Sequence, residues 1–374
     1  MIVMKVEANN LFAFKDFSLS LTYPKRIVNS TIEMEYLENS PRFRYKKLVT
    51  IMGANASGKT SIGRLLMSIF NFINKREISR ILPYISNKEE KSTFLLDFLC
   101  DEKTLYRVTC EIIGENVELE VYKSKINKDD SYESCVEKFE KISLKDLEES
   151  NEKGNDLKNY IDKLKAIPNF GWLFTFPGDA ESNCRLIKDD IGILDIQILK
   201  GILKTLDTSI TDVEKSNEMK NSYIIRSKNG DVFVQNGKII NNSILSSGTK
   251  AGIDISYIIS SMKKDNHGFY YCDERFTYIQ SDVEQAILSL MIEILPKNSQ
   301  LFFTTHNLDI LELDLPIHSF IFLRKKDDII EVIDPKDFIK KNDVSLRNAV
   351  KNDIFDIAPD INSIFELEGV EING

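Results

Sequence analysis

"KKLVTIMGANASGKTS", residues 46–61, is the stretch on which the reading of the whole chain turns. Leu48 to Met52 reads as a short buried strand, and a helix should begin near Lys59. Between them, Gly53 to Thr60 fits the pattern G-x-x-x-x-G-K-[ST]. The glycines let the backbone curl so that successive N–H groups converge on one point. The helix start behind them adds its partial positive charge, so the turn is suited to phosphate oxygens.

That placement, after an apolar strand and before a helix, makes a chance match an unsatisfactory explanation. A nucleotide is the ligand this loop predicts. Lys59 would reach the β- and γ-phosphates, and the Thr60 hydroxyl would go to Mg²⁺. Gly53, Asn55, Ala56, Ser57, Gly58 and Ser61 complete the candidate phosphate-binding set.

Working outward, the chain before the loop opens with two half-buried strand patterns, "MIVMKVEA" and Phe14 to Tyr23. After it come "STFLLDFLCD", "TLYRVTCEII" and "NVELEVYK", separated by turn-like "DEK" and "GEN", which predict an antiparallel sheet layer. From Ser124 to Lys165, Lys, Glu, Asp, Asn and Ser dominate. We expect a helical insertion projecting from the core there, with a partly ordered loop as the alternative. Strands return in "SYIIRS" and "DVFVQNGKII", a hairpin across "KNG", and in "HSFIFLRK" and "DIIEVIDP" near the end.

The formal charge is −9, which argues against a chain coated by nucleic acid, although Lys25, Arg26, Arg42, Arg44, Lys46 and Lys47 make a candidate basic patch. Its plainer reading is a solvated loop face. Five cysteines without a C-x-x-C pair predict reduced thiols and no zinc site. The start, MIVMKVEANN, lacks a signal-peptide pattern and no apolar run nears membrane-spanning length, so the expectation is a cytoplasmic protein with no membrane partner.

Three more stretches bear on chemistry. "HGFYYCDERF" is an apolar strand ending in Asp273 and Glu274. Taken alone, that is a charged strand terminus; beside a phosphate loop, Asp273 becomes a candidate Mg²⁺ ligand and Glu274 a candidate base for water. "QLFFTTHNLD" is another strand, ending in Thr305, His306 and Asn307, and His306 suits a sensor of the terminal phosphate. "SILSSGTKAG", Ser243 to Gly252, is alone no more than a capped helix start.

The order of these motifs resembles the ABC-type ATPases, in the branch of the RecF, Rad50 and SMC heads. The resemblance covers about residues 1–125 and 220–335. It implies an α/β fold, a P-loop NTPase of ABC type, with a mixed central sheet, an antiparallel β layer and a short helical insertion. It divides the chain into 1–123 with the phosphate loop, an insertion at 124–220, a second half of the head at 221–335, and an extension at 336–374. It implies ATP and Mg²⁺, with Glu274 as general base and His306 as switch residue. Leu245-Ser246-Ser247-Gly248-Thr249 stands where the family carries its signature, which binds the γ-phosphate held by the other subunit. Ser246, Ser247 and Gly248 would then touch a partner's nucleotide, and Ile279 to Ser281 would occupy the D-loop position.

Three departures accompany the resemblance. Ser247 and Thr249 replace the usual signature glycine and glutamine, and Arg275 follows the acids. No glutamine lies between Thr60 and Ile196, so the Q-loop ligand has no counterpart, leaving Asp97 or a water to take its place. The opening "VEANNLFAFKDFSL" resembles the first hairpin of the RecF and OLD group. Without sustained heptads, long coiled-coil arms are not expected, and the 68 residues after His306 lead us to expect no Toprim nuclease domain. "LSSGTKAG" and "KKNDVSLRNAVKND" resemble the small ATPase subunits of bacterial anti-phage systems of the PARIS and Septu kinds. That likeness implies a homodimer or higher homo-oligomer, working with a separate effector protein such as a nuclease. A RecF-like ATPase that clamps DNA is the alternative.

Overall fold

The computed structural model describes every residue except 28–29, 115, 144–155, 178–182, 186–193, 217–218, 220–221, 236–237, 241–244, 340–344, 360–364 and 366–374. Its centre is a seven-stranded mixed sheet. Four parallel pairings build it: Trp172–Thr175 beside Phe269–Asp273, that strand beside Gln300–Thr304, then Leu48–Gly53, then Phe320–Lys326. Antiparallel edges close it, Asn183–Arg185 at one side and Ile329–Ile333 at the other. The strand bearing His306's loop thus lies between the phosphate-loop strand and the strand of the two acids. All three deliver their ends to one rim of the sheet.

Period-two alternation decides which residue faces which layer. Val49 and Ile51 point into a core shared with the helix Lys59–Lys75 and with a six-stranded antiparallel sheet. That sheet runs, in order, Phe17–Ser20, Ile2–Asn9, Ser92–Leu99, Thr104–Ile113, Asn116–Lys125 and Glu140–Lys141. Leu48 and Met52 point the other way, into a second core under the helices Ser247–Lys263 and Ser281–Ile294. Buried Gln300 staples the two sheets together. Its carbonyl accepts from Val3 N–H at 2.9 Å, and its amide donates to the carbonyls of Val3 and Lys46 at 3.2 and 2.8 Å.

The α/β class, the mixed central sheet and the antiparallel layer agree with the sequence reading. Of the segment 124–165, residues 144–155 lie outside the described residues, and the described parts pack on the body of the fold where a projection was expected. Helix Asp156–Lys165 lies on the antiparallel sheet, with Tyr160 and Leu164 in the first core and Lys163 Nζ donating to the Leu119 carbonyl at 2.9 Å. Its apolar residues recur on one face, and that face needs cover more than the segment's charge needs solvent. Trp172–Thr175, within the region read as insertion, is a wholly buried strand of the central sheet.

Two basic residues also land elsewhere than a surface patch. Lys46 is buried against Asp334 at 2.8 Å, and Lys47 is buried with its ammonium donating to the Glu33 carbonyl at 3.1 Å. The patch loses two of its six cations to internal pairing. The "KNG" hairpin joins Ser222–Ser227 to Val232–Gln235 within a small four-stranded sheet completed by Ile210–Lys215 and Lys238–Ile239. Among the described residues, no helix is long and apolar enough to cross a membrane.

Candidate functional site

At the rim of the central sheet the phosphate loop forms a sharp turn that only certain residues tolerate. Gly58 has φ +106°, and a Cβ there would stand 2.7 Å from the Ile330 side chain. Ala56 accepts a left-handed φ of 61° despite its Cβ. Lys59 folds back over the loop, donating to the carbonyls of Gly53 and Ala54 at 3.0 and 3.1 Å. Burial pushes its ammonium pKa down, and nearby Glu274 pulls it back up.

Behind the loop, the first helical turn is fixed from the acid strand. Tyr271 donates its buried hydroxyl to the Lys59 carbonyl at 2.6 Å. Gly63 lets that ring approach, since a Cβ at Gly63 would lie 2.5 Å from it. Packing and phosphate loop are thus one construction.

Asp273 is fully buried and held by two hydroxyls, from Thr60 to Oδ2 and from Thr304 to Oδ1, both at 2.6 Å. Burial pushes its carboxyl up, with the two hydroxyls opposing. A hard cation beside it would remove the cost of that buried charge. Thr60 Oγ1 and Asp273 Oδ2 are oxygen donors already in contact, which suits Mg²⁺ completed by phosphate oxygens and water. Among the described residues, no cluster of three or more His, Cys, Asp or Glu is arranged to hold a metal unaided.

Glu274 turns away from its neighbour because its backbone is left-handed, φ 45°. Its N–H donates to Thr304 Oγ1 at 3.0 Å, which holds this uncommon conformation. Glu274 Oε1 lies 2.7 Å from His306 Nε2 and 3.4 Å from Lys59 Nζ. The carboxyl sits below its ordinary pKa, chiefly through the hydrogen bond from His306, with burial opposing and Lys59 assisting. The result is an ionised, partly exposed carboxylate facing the loop.

A cavity of about 320 Å³ lies over this assembly, lined by Asn55, Ala56, Gly58, Lys59, Thr60, Ser61 and Glu274. Ala13, Lys325 and Ile330 complete its wall, and sequence reasoning missed all three. They arrive from two hairpins whose local sequence carries no phosphate signal. Thr304 was also missed, although the doubled threonine before His306 offered a cue. Ser57 does not line this cavity, and its buried Oγ has no hydrogen-bond partner among the described residues.

Ser246, Ser247 and Gly248 are not among the residues lining that cavity. Ser246 caps the helix Ser247–Lys263, accepting from Thr249 N–H at 3.1 Å, and Ser246 and Ser247 face outward. Thr249 is buried and its hydroxyl donates to Asp207 at 3.3 Å. The Thr249 hydroxyl is thus used internally to lock the cap. Gly248 lies against the turn after the acids, where a Cβ would stand 2.9 Å from the Tyr278 carbonyl. Ser243 and Ile244 lie outside the described residues.

Asp97 cannot stand in for the missing glutamine. It is buried in the antiparallel sheet, bridged by Arg107 through two hydrogen bonds of 2.7 Å and capped by the Tyr132 hydroxyl at 2.5 Å. Its oxygens are consumed there. Of the other two histidines, His267 is buried with Nδ1 2.8 Å from the Arg185 carbonyl, and His318 pairs with buried Glu35 at 2.7 Å.

No protein-family model matches the chain. No curated protein matches it either. Among solved structures, the chain is similar to the Smc head bound to the C-winged helix domain of ScpA, at 12% identity and a TM-score of 0.48, over 93% of this chain and 100% of that one. It is similar to the SMC head domain from Thermotoga maritima, at 13% identity and a TM-score of 0.42, over 89% and 99%. It is also similar to the recombination mediator protein RecF of the RecFOR pathway, at 10% identity and a TM-score of 0.39, over 89% and 98%.

Proposed function

We propose that this chain is a Mg²⁺-dependent ATPase of ABC type that dimerises head to tail on ATP. The observation that carries the reading is the convergence of Lys59, Thr60, Asp273, Glu274 and His306 on one rim of the sheet, where Lys59, Thr60 and Glu274 line a cavity over the glycine-rich loop. Lys59 exchanges its contacts with Gly53 and Ala54 for phosphate oxygens. Thr60 and Asp273 would hold Mg²⁺, which supplies charge neutralisation on the phosphates.

In hydrolysis a water oxygen bonds to the γ-phosphorus while the bond to the β-bridging oxygen breaks. Glu274 accepts the water's proton, and ADP and inorganic phosphate leave. His306 keeps Glu274 ionised and aimed until nucleotide arrives. Lys59 lies close enough to both Glu274 and the loop to balance the charge of either.

Ser246, Ser247 and Gly248 serve the other subunit's nucleotide. What supports this is the outward position of Ser246 and Ser247 at the start of a long helix, with all three residues away from their own chain's cavity. Two nucleotides between two subunits make ATP binding into closure and hydrolysis into opening. The resemblance to stand-alone anti-phage ATPases makes a separate effector, such as a nuclease, the partner such a switch would hold in the cytoplasm. The DNA-clamping alternative is weaker, since Lys46 is buried against Asp334 and Lys47 is buried against the Glu33 carbonyl. Phosphate release by the purified protein, with and without Mg²⁺, tests the enzyme directly. An activity unmoved by Lys59→Ala would sink it.

A further inference from the structure

Helix Ser281–Ile294 begins beside the loop that carries His306, and one carboxylate in its first turn points inward. Glu284 is 3% exposed. A buried carboxylate is tolerated when its oxygens are hydrogen-bonded, and both of these are. Oε1 accepts the Thr305 hydroxyl at 2.7 Å, and Oε2 accepts the Asn307 side-chain N–H at 2.8 Å. Thr305 Oγ1 in turn accepts the Asn307 backbone N–H at 3.0 Å. This closes a ring around the residue between them.

That residue is His306. Its own side chain is 39% exposed, so surrounding packing does little to aim the imidazole. Its direction therefore depends on where its backbone is held. Asn307 adds to the grip by donating to Ser281 Oγ at 2.8 Å, and its Oδ1 accepts the Asp309 N–H at 3.0 Å. Glu274, Glu284, Thr305, His306 and Asn307 all line a second cavity of about 300 Å³, next to the first.

We propose that Glu284 is a positioning residue for hydrolysis: by holding the residues on both sides of His306, it sets the aim of the imidazole at Glu274. The proposal rests on the ATPase reading, and it extends that site by a residue 10 positions after Glu274 in the sequence.

Glu284→Gln is the informative change. Its carbonyl can still accept from Thr305, but its amide meets the Asn307 amide, donor against donor, while Asn307 Oδ1 is committed to Asp309. The expected result is a kcat lower by roughly 10²-fold, the scale of a small misplacement, with ATP affinity retained and Tm lowered by the unmatched buried amide. In a His306→Ala background the same change should lower kcat no further, because the residue acts through His306. In the nucleotide-free protein, the His306 imidazole resonance, assigned by its loss in His306→Ala, should move on Glu284→Gln. It should return in the polarity-swapped pair Glu284→Gln with Asn307→Asp.

Losses that multiply in the double variant, an unmoved resonance, or a fall in ATP affinity matching the fall in kcat would each overturn the proposal. A wild-type protein that neither binds nor hydrolyses ATP would overturn the ATPase reading instead. The resonance would then still decide whether Glu284 sets His306.

Discussion

Glu274 Oε1 and His306 Nε2 stand 2.7 Å apart at the rim of the central sheet, brought together from the ends of adjacent parallel strands. The distance matters because each residue supplies what the other lacks. The carboxylate gains a donor that keeps it ionised, and the half-exposed imidazole gains a fixed partner. Glu274→Gln keeps the shape and removes the base. ATP hydrolysis should fall by roughly 10²–10⁴-fold while ATP binding persists. Phosphate release and equilibrium nucleotide binding, measured on the same preparation, check both halves.

Gly63 is where the nucleotide loop and the core share one requirement. A Cβ there would meet the Tyr271 ring at 2.5 Å and Phe176 at 2.9 Å. Both rings belong to a packed aromatic layer and cannot retreat freely. Gly63→Ala should destabilise by about 1–3 kcal/mol, the usual cost of overpacking. Because Tyr271 also fixes the Lys59 carbonyl, ATP affinity should fall with it. Chemical unfolding and nucleotide titration measure the two effects separately.

Asp97 separates structure from chemistry. Breaking its pair with Arg107 leaves the guanidinium, itself only partly exposed, without its bidentate partner. Asp97→Ala should cost about 3 kcal/mol, the low end for a buried pair because Arg107 keeps some solvent. At a temperature where the variant is folded, its Mg²⁺ dependence of ATP hydrolysis should match the wild type. A changed Mg²⁺ requirement would restore Asp97 as a ligand-site residue.

Lys336 provides a pH signature far from the site. Its ammonium lies 3.7 Å from the centre of the Tyr23 ring, and burial pushes it down to about 8 from 10.5. A lowered lysine means the unfolded chain holds more protons between those two values. Stability contributed by this residue therefore rises as pH climbs from about 8 toward 10.5, and below about 8 its cost is felt in full. Lys336→Met should raise Tm at pH 7, by a margin that closes as pH approaches 10.5. A margin independent of pH would contradict this.

The parts legible in the sequence were those whose signal is local. The apolar run Leu48–Met52 with the glycines after it, and Phe269–Asp273 with its terminal acids, each carry strand, turn and chemistry within about ten residues. Trp172–Thr175 gives no readable signal because it is four residues of a short apolar run between Pro168 and Pro177, with no polar alternation to show a period. Glu284 looked like any glutamate on a helix surface. Its burial is decided by Thr305 and Asn307, which the chain reaches only after another strand. Lys46 and Lys47 read as surface charge for the converse reason. Asp334 and the Glu33 carbonyl, which draw them inward, cannot be paired with them from the sequence. Local motif thus points to the candidate site, while the contacts that hold it come from distant segments.

The central claim is that ATP joins two copies through the turn at Ser246–Gly248. Light scattering on Glu274→Gln, with and without Mg²⁺-ATP, tests it most directly, since the variant should trap the closed state. The account predicts a mass that doubles with ATP and a shift abolished by adding Ser246→Arg, with ATP still bound by the single subunit. A mass that stays monomeric with nucleotide demonstrably bound would contradict it and leave Ser246 as the cap of a helix and nothing more.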